Sequence, residues 1–278
     1  MTYGLKVHNA EGVVLIDDDF VTLAPAQRGA ITPADAFAGY GRSANGRLIY
    51  LDWAYGASYR VAYPSPILSV SAPVVAFCPR QLAGGCFHAF HHTGGPGAWT
   101  GFIVGWHHAL PGTSEAWSSY YGPAEYIRDW DYIAADPERC PQSDDKYGMR
   151  VWDSAGELVF DSGTPVLRIV RVLDQWERIS SPSLGVRAFT TPWAVPRDGR
   201  HGFFAASLGI QLVGRGVGAF VGTRIGVVGD TLHARVVGVD EVSRARMGQE
   251  EQEGKLPGSV LDQMVSGGIL RTMLFELR

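Results

Sequence analysis

Near its start the chain reads Tyr3-Gly4-Leu5-Lys6-Val7-His8-Asn9-Ala10-Glu11-Gly12-Val13-Val14-Leu15-Ile16-Asp17. The same phrase returns without a gap as Tyr147-Gly148-Met149-Arg150-Val151-Trp152-Asp153-Ser154-Ala155-Gly156-Glu157-Leu158-Val159-Phe160-Asp161. The tyrosine, both glycines, the first valine and the final aspartate are identical, and most other pairs keep their chemical type. An ungapped internal repeat of this length predicts a chain built from related units.

Each copy of the phrase has the pattern of a β-hairpin. Apolar and polar residues alternate up to a short polar turn, after which an apolar run follows. Asn9 and Asp153 suit the first turn position because their side chains can accept hydrogen bonds from the backbone ahead. Gly12 and Gly156 suit the last position, which requires a positive φ. Both copies are therefore predicted to form a type I turn closed by a glycine bulge.

The composition is typical of a β-rich globular protein. Among 278 residues, 46% are hydrophobic and only 19% are charged, with 35 glycines and 16 prolines, which favours strands joined by turns over helical bundles. Strand-like segments recur at about the spacing found in β-sandwiches. We predict a mainly β fold with little helix, made of two β-sandwich-like modules over residues 1–140 and 141–278 that each open with a similar hairpin. The polar segment 136–146 is the candidate linker.

Charge and cysteine content argue against several classes of function. The net charge of −4 provides no electrostatic footprint for nucleic acid or for an anionic membrane surface. Three cysteines at irregular spacing predict neither a disulfide framework nor a zinc site, which fits assembly in a reducing cytoplasm. Met1 leads directly into the first hairpin, so we expect no signal peptide. The apolar stretch 208–229 contains two arginines and alternates like strands, so we expect no membrane insertion.

Histidines concentrate in one predicted hairpin, which contains His88, His91, His92, His107 and His108. Imidazole is a common zinc ligand, so all of these except His91 are candidates for a metal site. With residues 93–98 as the loop, however, His92 lies opposite Trp99, and His107 lies about 13 Å along the strand from the position facing His88. This spacing favours histidines that lie at the surface or in an interface. These histidines could bind a metal ion only together with those of a symmetry-related copy of the chain. We therefore expect no cofactor.

Two motifs invite a catalytic or nucleotide-binding interpretation. Asp129 and Asp131 stand two apart in a probable strand and would share one face, and glycoside hydrolysis requires two facing carboxylates. Acids at strand ends are far more often solvated or turn-forming, and no nucleophile-elbow serine occurs, so we expect no enzyme. Residues 214–218, Gly-Arg-Gly-Val-Gly, resemble a phosphate-binding loop, but a strand pattern follows where such a loop requires a helix.

Aromatic residues crowd a segment that glycine, proline and serine interrupt, between residues 111 and 132. Rings with polar groups serve both sugar stacking and protein interfaces, and recognition concentrates in loops on a rigid β scaffold. The alternative is that these rings cap the core beneath a long loop. The candidate receptor- or partner-binding residues are Trp117, Tyr120, Tyr121, Tyr126 and Trp130.

Three stretches of the chain carry a resemblance to a known family. They are the first hairpin phrase, its second form continued by Val166-Leu167-Arg168-Ile169-Val170, and the strand-like Pro73-Val74-Val75-Ala76-Phe77-Cys78-Pro79-Arg80. Together they resemble tail-tip and tail-fibre proteins of siphophages. About a quarter of the chain shares this likeness, and residues 174–278 show none.

The resemblance implies a structural virion protein, with no catalytic residues to carry over. In that family β-rich modules assemble at the distal end of the tail and contribute to adsorption on the host. It implies a location in the virion tail after assembly in the host cytoplasm, and contacts with other phage tail proteins and with a host surface glycan or protein receptor. It also implies a homo-oligomer, a trimer by the family alone. The alternatives are a carbohydrate-binding module and, less favoured, a polysaccharide depolymerase.

The repeat itself is expected to be purely structural, each repeated position serving turn, strand or packing. Adsorption would then depend on what differs between the copies, above all the loops between residues 86 and 132.

Overall fold

The structure is a computed structural model of the 278-residue chain. It describes residues 6–8, 14–17, 23–37, 41–42, 48–49, 57–107, 127, 129–173, 176–179, 186–205, 210–213, 219–228, 231–238 and 272–278. Over these residues the fold is mainly β, as predicted, and a short 3-10 helix lies at Pro33–Asp35.

The two copies of the repeated phrase form hairpins with the same register. In the first, β1 (Lys6–His8) pairs with β2 (Val14–Asp17), and in the second, β12 (Arg150–Trp152) pairs with β13 (Leu158–Asp161). Lys6 faces Asp17 as Arg150 faces Asp161. Both ladders are also interrupted at the equivalent step, directly after the shared valine. The sequence repeat is therefore a structural repeat.

The turn of the second hairpin has the predicted chemistry. The N–H of Gly156 donates to the Asp153 carbonyl at 3.1 Å, and the N–H of Asp153 donates to the Glu157 carbonyl at 2.9 Å. The Asp153 carboxylate accepts the N–H groups of Ala155 and Glu157, both at 2.8 Å. Gly156 has a φ of 86°, a value that side chains other than glycine rarely adopt. The glycine-closed turn is confirmed here, whereas the turn of the first hairpin lies outside the described residues.

The larger sheet is antiparallel and has nine strands, in the order β15-β16-β20-β19-β9-β10-β7-β4, with β18 also pairing with β19. In chain order these strands are β4 (Ala36–Phe37), β7 (Ala57–Ile67), β9 (Gly85–Gly95), β10 (Ala98–His107), β15 (Glu177–Ile179), β16 (Val186–Ala194), β18 (Ile210–Val213), β19 (Ala219–Val228) and β20 (Thr231–Gly238). Because β18 and β19 pair as neighbours, residues 214–218 connect two strands, as the sequence predicts.

The smaller sheet has six strands, in the order β14-β21-β17-β8-β11-β3. These are β3 (Ala24–Ile31), β8 (Val74–Pro79), β11 (Trp130–Asp136), β14 (Leu167–Leu173), β17 (His201–Phe204) and β21 (Thr272–Leu277). A further small antiparallel pair consists of β5 (Gly41–Arg42) and β6 (Leu48–Ile49).

Strands from both halves of the chain share both sheets. In the larger sheet β19 pairs with β9, which places Ile225 beside Phe87. In the smaller sheet β17 pairs with β8, which places Phe203 beside Phe77. The predicted boundary at residue 140 therefore does not separate two independent sandwiches. Pairing between strands more than a hundred residues apart is set by tertiary packing, which the local strand and turn patterns do not encode.

The main core lies between the two sheets and is rich in aromatic rings. Phe77 of the smaller sheet stacks on Phe87 of the larger one, with ring centroids 4.2 Å apart and planes 13° apart. A second apolar cluster, which includes Ile133 and Phe275, covers the opposite face of the smaller sheet. Every residue of β11 is buried as a result. Burial on both faces explains why residues 130–136 do not alternate in polarity.

Candidate functional site

The aromatic residues predicted to bind a receptor fall into two groups. Trp117, Tyr120, Tyr121 and Tyr126 lie outside the described residues. Trp130 is fully buried in the main core, where its indole N–H donates to the Gly84 carbonyl at 3.0 Å. Its ring packs edge-on against Phe87, with centroids 4.7 Å apart. The binding role predicted for Trp130 is therefore wrong, because a fully buried ring cannot contact a receptor.

The histidine-rich hairpin has a tighter turn than the sequence predicts. Gly95 pairs with Ala98, so Pro96 and Gly97 alone form the turn, and Gly97 has a φ of 80°. Proline followed by a left-handed glycine is the pattern of a type II turn. The predicted loop of residues 93–98 is thus too long.

The tighter turn changes which residues face the histidines. His92 pairs with Phe102 instead of Trp99, and His88 pairs with Gly105 instead of Ile103. His107 pairs with Cys86, two residues from His88 along β9, so the predicted 13 Å separation is too large. His88 is buried, burial lowers the pKa of His92, and His108 lies outside the described residues. Among the described residues no group of three His, Cys, Asp or Glu side chains could hold a metal ion.

The two acids considered for catalysis have structural partners. Asp129 precedes β11 and has a φ of 59°, so the two acids do not share a strand face as predicted. Its carboxylate accepts the N–H of Leu82 at 2.9 Å. Asp131 forms an ion pair with Arg80 at 3.1 Å, and Arg28 lies 3.9 Å away. Burial raises the pKa of Asp131, and both arginines oppose that effect. Within the described residues, both carboxylates are thus engaged by structural partners.

A buried carboxylate organises the second hairpin. Asp161 is 2% exposed and accepts hydrogen bonds from the Gly163 N–H, the Ser143 N–H and the Arg150 Nε, each at 2.9 Å. These bonds, that of Gly163 first, hold the pKa of Asp161 well below its usual range despite the opposing effect of burial. The Arg150–Asp161 ion pair occupies the position that Lys6 and Asp17 occupy in the first hairpin.

Arg150 also fixes the chain that leads into this hairpin. Its guanidinium donates to the carbonyls of Ser143 and Asp145, both at 2.9 Å. The Ser162 hydroxyl accepts the N–H of Met149 at 2.9 Å. The segment predicted as a linker, residues 136–146, is thus bound along its end to the hairpin that follows.

An open groove runs beside this anchored segment and is lined by residues 145–150 and Trp152. We call it the hairpin groove. Tyr147 is 93% exposed and Trp152 is 52% exposed, and the apolar side chain of Met149 also faces solvent. The sequence contains one signal for this site, because Tyr147 repeats Tyr3 of the first copy. A side chain this exposed contributes to neither the turn, the strand pairing nor the core. The expectation that every repeated position is structural therefore fails at this tyrosine.

A second exposed apolar surface lies on the edge strand of the smaller sheet. Within the described part of the chain β14 pairs only with β21, and its five central residues are exposed. Ile169, Val170 and Val172 contribute apolar side chains, and Met273 of β21 pairs with Val172. Exposed apolar patches of this kind mark interaction surfaces. We call this surface the β14 edge.

In comparisons with known proteins, no protein family, no curated protein and no solved structure matches the chain. Of the residues that the structure describes, none form a helix long and apolar enough to cross a membrane. All three cysteines are buried and free of disulfide bonds.

Proposed function

We propose that this protein is a structural component of a bacteriophage tail tip or tail fibre that contributes to virion assembly and host adsorption. The observation that carries the proposal is the repeated hairpin, the feature in which the sequence resembles siphophage tail proteins. Its two copies pair in the same register and share the same irregularity. Repetition of one supersecondary unit suits a protein built to assemble, since a copied unit offers two similar surfaces within one chain.

The described surfaces are compatible with this role. The β14 edge combines exposed apolar side chains with a strand that, within the described part of the chain, has one strand neighbour, β21, and association with another chain would cover it. The hairpin groove exposes the aromatic rings of Tyr147 and Trp152, whereas Val151 and Val159 of the same hairpin are buried. One surface for assembly and another for adsorption is what a tail component requires.

Immunogold electron microscopy of purified phage particles tests the location. An antibody raised against this chain should label the distal end of the tail, and prior absorption of the antibody with the purified chain should abolish the label. Absence of the chain from purified particles, checked by mass spectrometry, would contradict the proposal.

The oligomeric state offers an independent test. Mass photometry of the purified chain should give a multiple of its 30.1 kDa mass, alone or with co-expressed tail proteins, and a trimer is the expected form. A monomer that assembles with none of them would count against a tail component.

A further inference from the structure

We propose that the hairpin groove is a binding site for a bacterial surface glycan. This inference rests on the proposed function and deepens it, because it names both the class of receptor and the surface that recognises it. The groove comprises residues 145–150 and Trp152 on the second hairpin and the segment that leads into it.

The exposed side chains of the groove match the chemistry of a sugar. A pyranose ring has faces of C–H groups that stack on aromatic rings and an edge of hydroxyls that form hydrogen bonds. Trp152 and Tyr147 offer aromatic rings with polar groups, and both are largely open to solvent. Asp145 and Lys146 border the same groove and offer a carboxylate acceptor and an ammonium donor. The groove thus presents apolar faces and charged groups side by side.

The backbone beneath these side chains is held in place before any ligand arrives. Arg150 ties the carbonyls of Ser143 and Asp145 to the carboxylate of Asp161. Asp161 is in turn fixed by the backbone N–H groups of Ser143 and Gly163. A site whose frame is already ordered loses less conformational entropy on binding. This matters for a sugar, which contributes few apolar contacts to offset that loss.

The size of the groove favours a glycan over a protein partner. A stable protein interface buries about 800 Å² on each side and involves about 20–30 residues of each partner. Among the described residues the groove is formed by residues 145–150 and Trp152, a short surface that fits a few sugar units.

The repeat provides an independent argument. Tyr147 is the most exposed of the large hydrophobic side chains in the described part of the molecule, and its equivalent in the first copy is again tyrosine, Tyr3. An exposed tyrosine stabilises the hairpin little, so its recurrence points to recognition. Met149 and Leu5 repeat an apolar residue two positions later.

An array of purified bacterial surface polysaccharides, probed with the labelled full-length chain, tests the inference. The intact chain should bind at least one polysaccharide, and Trp152→Ala and Tyr147→Ala should each weaken that binding at least tenfold. Trp193→Ala is the matched control, because Trp193 is another half-exposed tryptophan but lies on β16, outside the groove. It should bind like the unaltered chain. Circular dichroism should be the same for all variants, and Trp152→Ala and Tyr147→Ala should melt like the unaltered chain because these side chains are exposed. Trp193→Ala should melt slightly lower, because it loses the stack of Arg171 on the Trp193 ring, and should still bind the polysaccharide.

The outcomes separate the groove from the proposed function. Undiminished polysaccharide binding by Trp152→Ala and Tyr147→Ala would overturn the groove as the site while leaving a role in adsorption intact. If the chain binds none of the polysaccharides, or if protease treatment of the bacteria abolishes its binding to cells, the ligand is not a glycan and the inference is wrong. Neither of these outcomes bears on the virion role, which absence of the chain from purified particles would contradict.

Discussion

The guanidinium carbon of Arg171 lies 3.3 Å from the centroid of the Trp193 ring. Arg171 belongs to β14 at the edge of the smaller sheet, and Trp193 belongs to β16 of the larger sheet. The pair therefore links the two sheets where both side chains still face solvent. A cation over an aromatic face is attracted by the negative charge of the ring face.

A double-mutant cycle measures what this link contributes. Arg171→Ala, Trp193→Ala and the double variant should reveal a coupling free energy of about 0.5–1 kcal/mol in urea unfolding, the range expected at a partly exposed site. Pairing Arg171→Ala with Trp152→Ala is the control, since Trp152 lies on the second hairpin and the two effects should add. Additive effects for Arg171 and Trp193 would mean that the stack does not stabilise the sandwich.

A substitution at Gly226 tests whether the two halves of the chain unfold as one cooperative unit. It lies where β19 pairs with β9, and an added Cβ would collide with the carbonyl of Gly85 and with Cys86, both largely through backbone atoms that cannot move aside. Gly226→Ala should lower the free energy of unfolding by about 3 kcal/mol, the upper range for overpacking a buried site. Because both halves share the sheets, the loss should appear as a shift of one cooperative urea transition.

Gly84→Ala is the matched control for Gly226→Ala, because a Cβ at Gly84 would meet nothing within 4 Å. Its midpoint should stay close to that of the unaltered chain. A Gly226→Ala transition that splits into two steps, one of them unshifted, would instead support two independently folding modules.

Local features of this fold could be predicted from the sequence, and long-range ones could not. The hairpin of residues 147–161 follows from its own turn, since Asp153 and Gly156 decide its geometry from within five residues. The pairing of Phe203 with Phe77, in contrast, depends on how two distant strands pack. Strand and turn patterns specify neither the partner of a strand nor its order in a sheet.

The candidate site divides in the same way. The aromatic pattern singled out Trp130, yet a strand buried on both faces uses such a ring as core, and aromatic content alone does not separate the two uses. Tyr147 is not among the predicted binding residues, because each repeated position is expected to be structural. The signal for Tyr147 is that the tyrosine recurs in both copies of the repeat although neither the turn nor the core requires it. Tyr147 precedes β12, and its exposure depends on how the segment leading into the hairpin packs, which local patterns do not specify.

The turn of the second hairpin provides a test of backbone strain free of steric conflict. Gly156 has a φ of 86°, and a Cβ there would meet nothing within 4 Å. Gly156→Ala should therefore cost about 1–2 kcal/mol through its left-handed conformation alone. Gly156→Asn should cost less, because asparagine tolerates this region. Chemical unfolding compares the two, and equal losses for alanine and asparagine would point to a cause other than φ.

Acid should weaken the second hairpin through Asp161. Because the pKa of Asp161 is lowered in the folded chain, its ionised form favours folding. This contribution is fully present above the unfolded aspartate pKa of about 4 and is lost as the pH falls through the lower folded value. Asp161→Asn should therefore melt below the unaltered chain by a constant interval from about pH 7 to pH 5, and the interval should narrow below about pH 4. Asp144→Asn, which removes an exposed carboxylate from the same segment, is the control and should change the melting temperature little. An Asp161→Asn interval that persists unchanged into acid would show that the carboxylate charge is not what stabilises the hairpin.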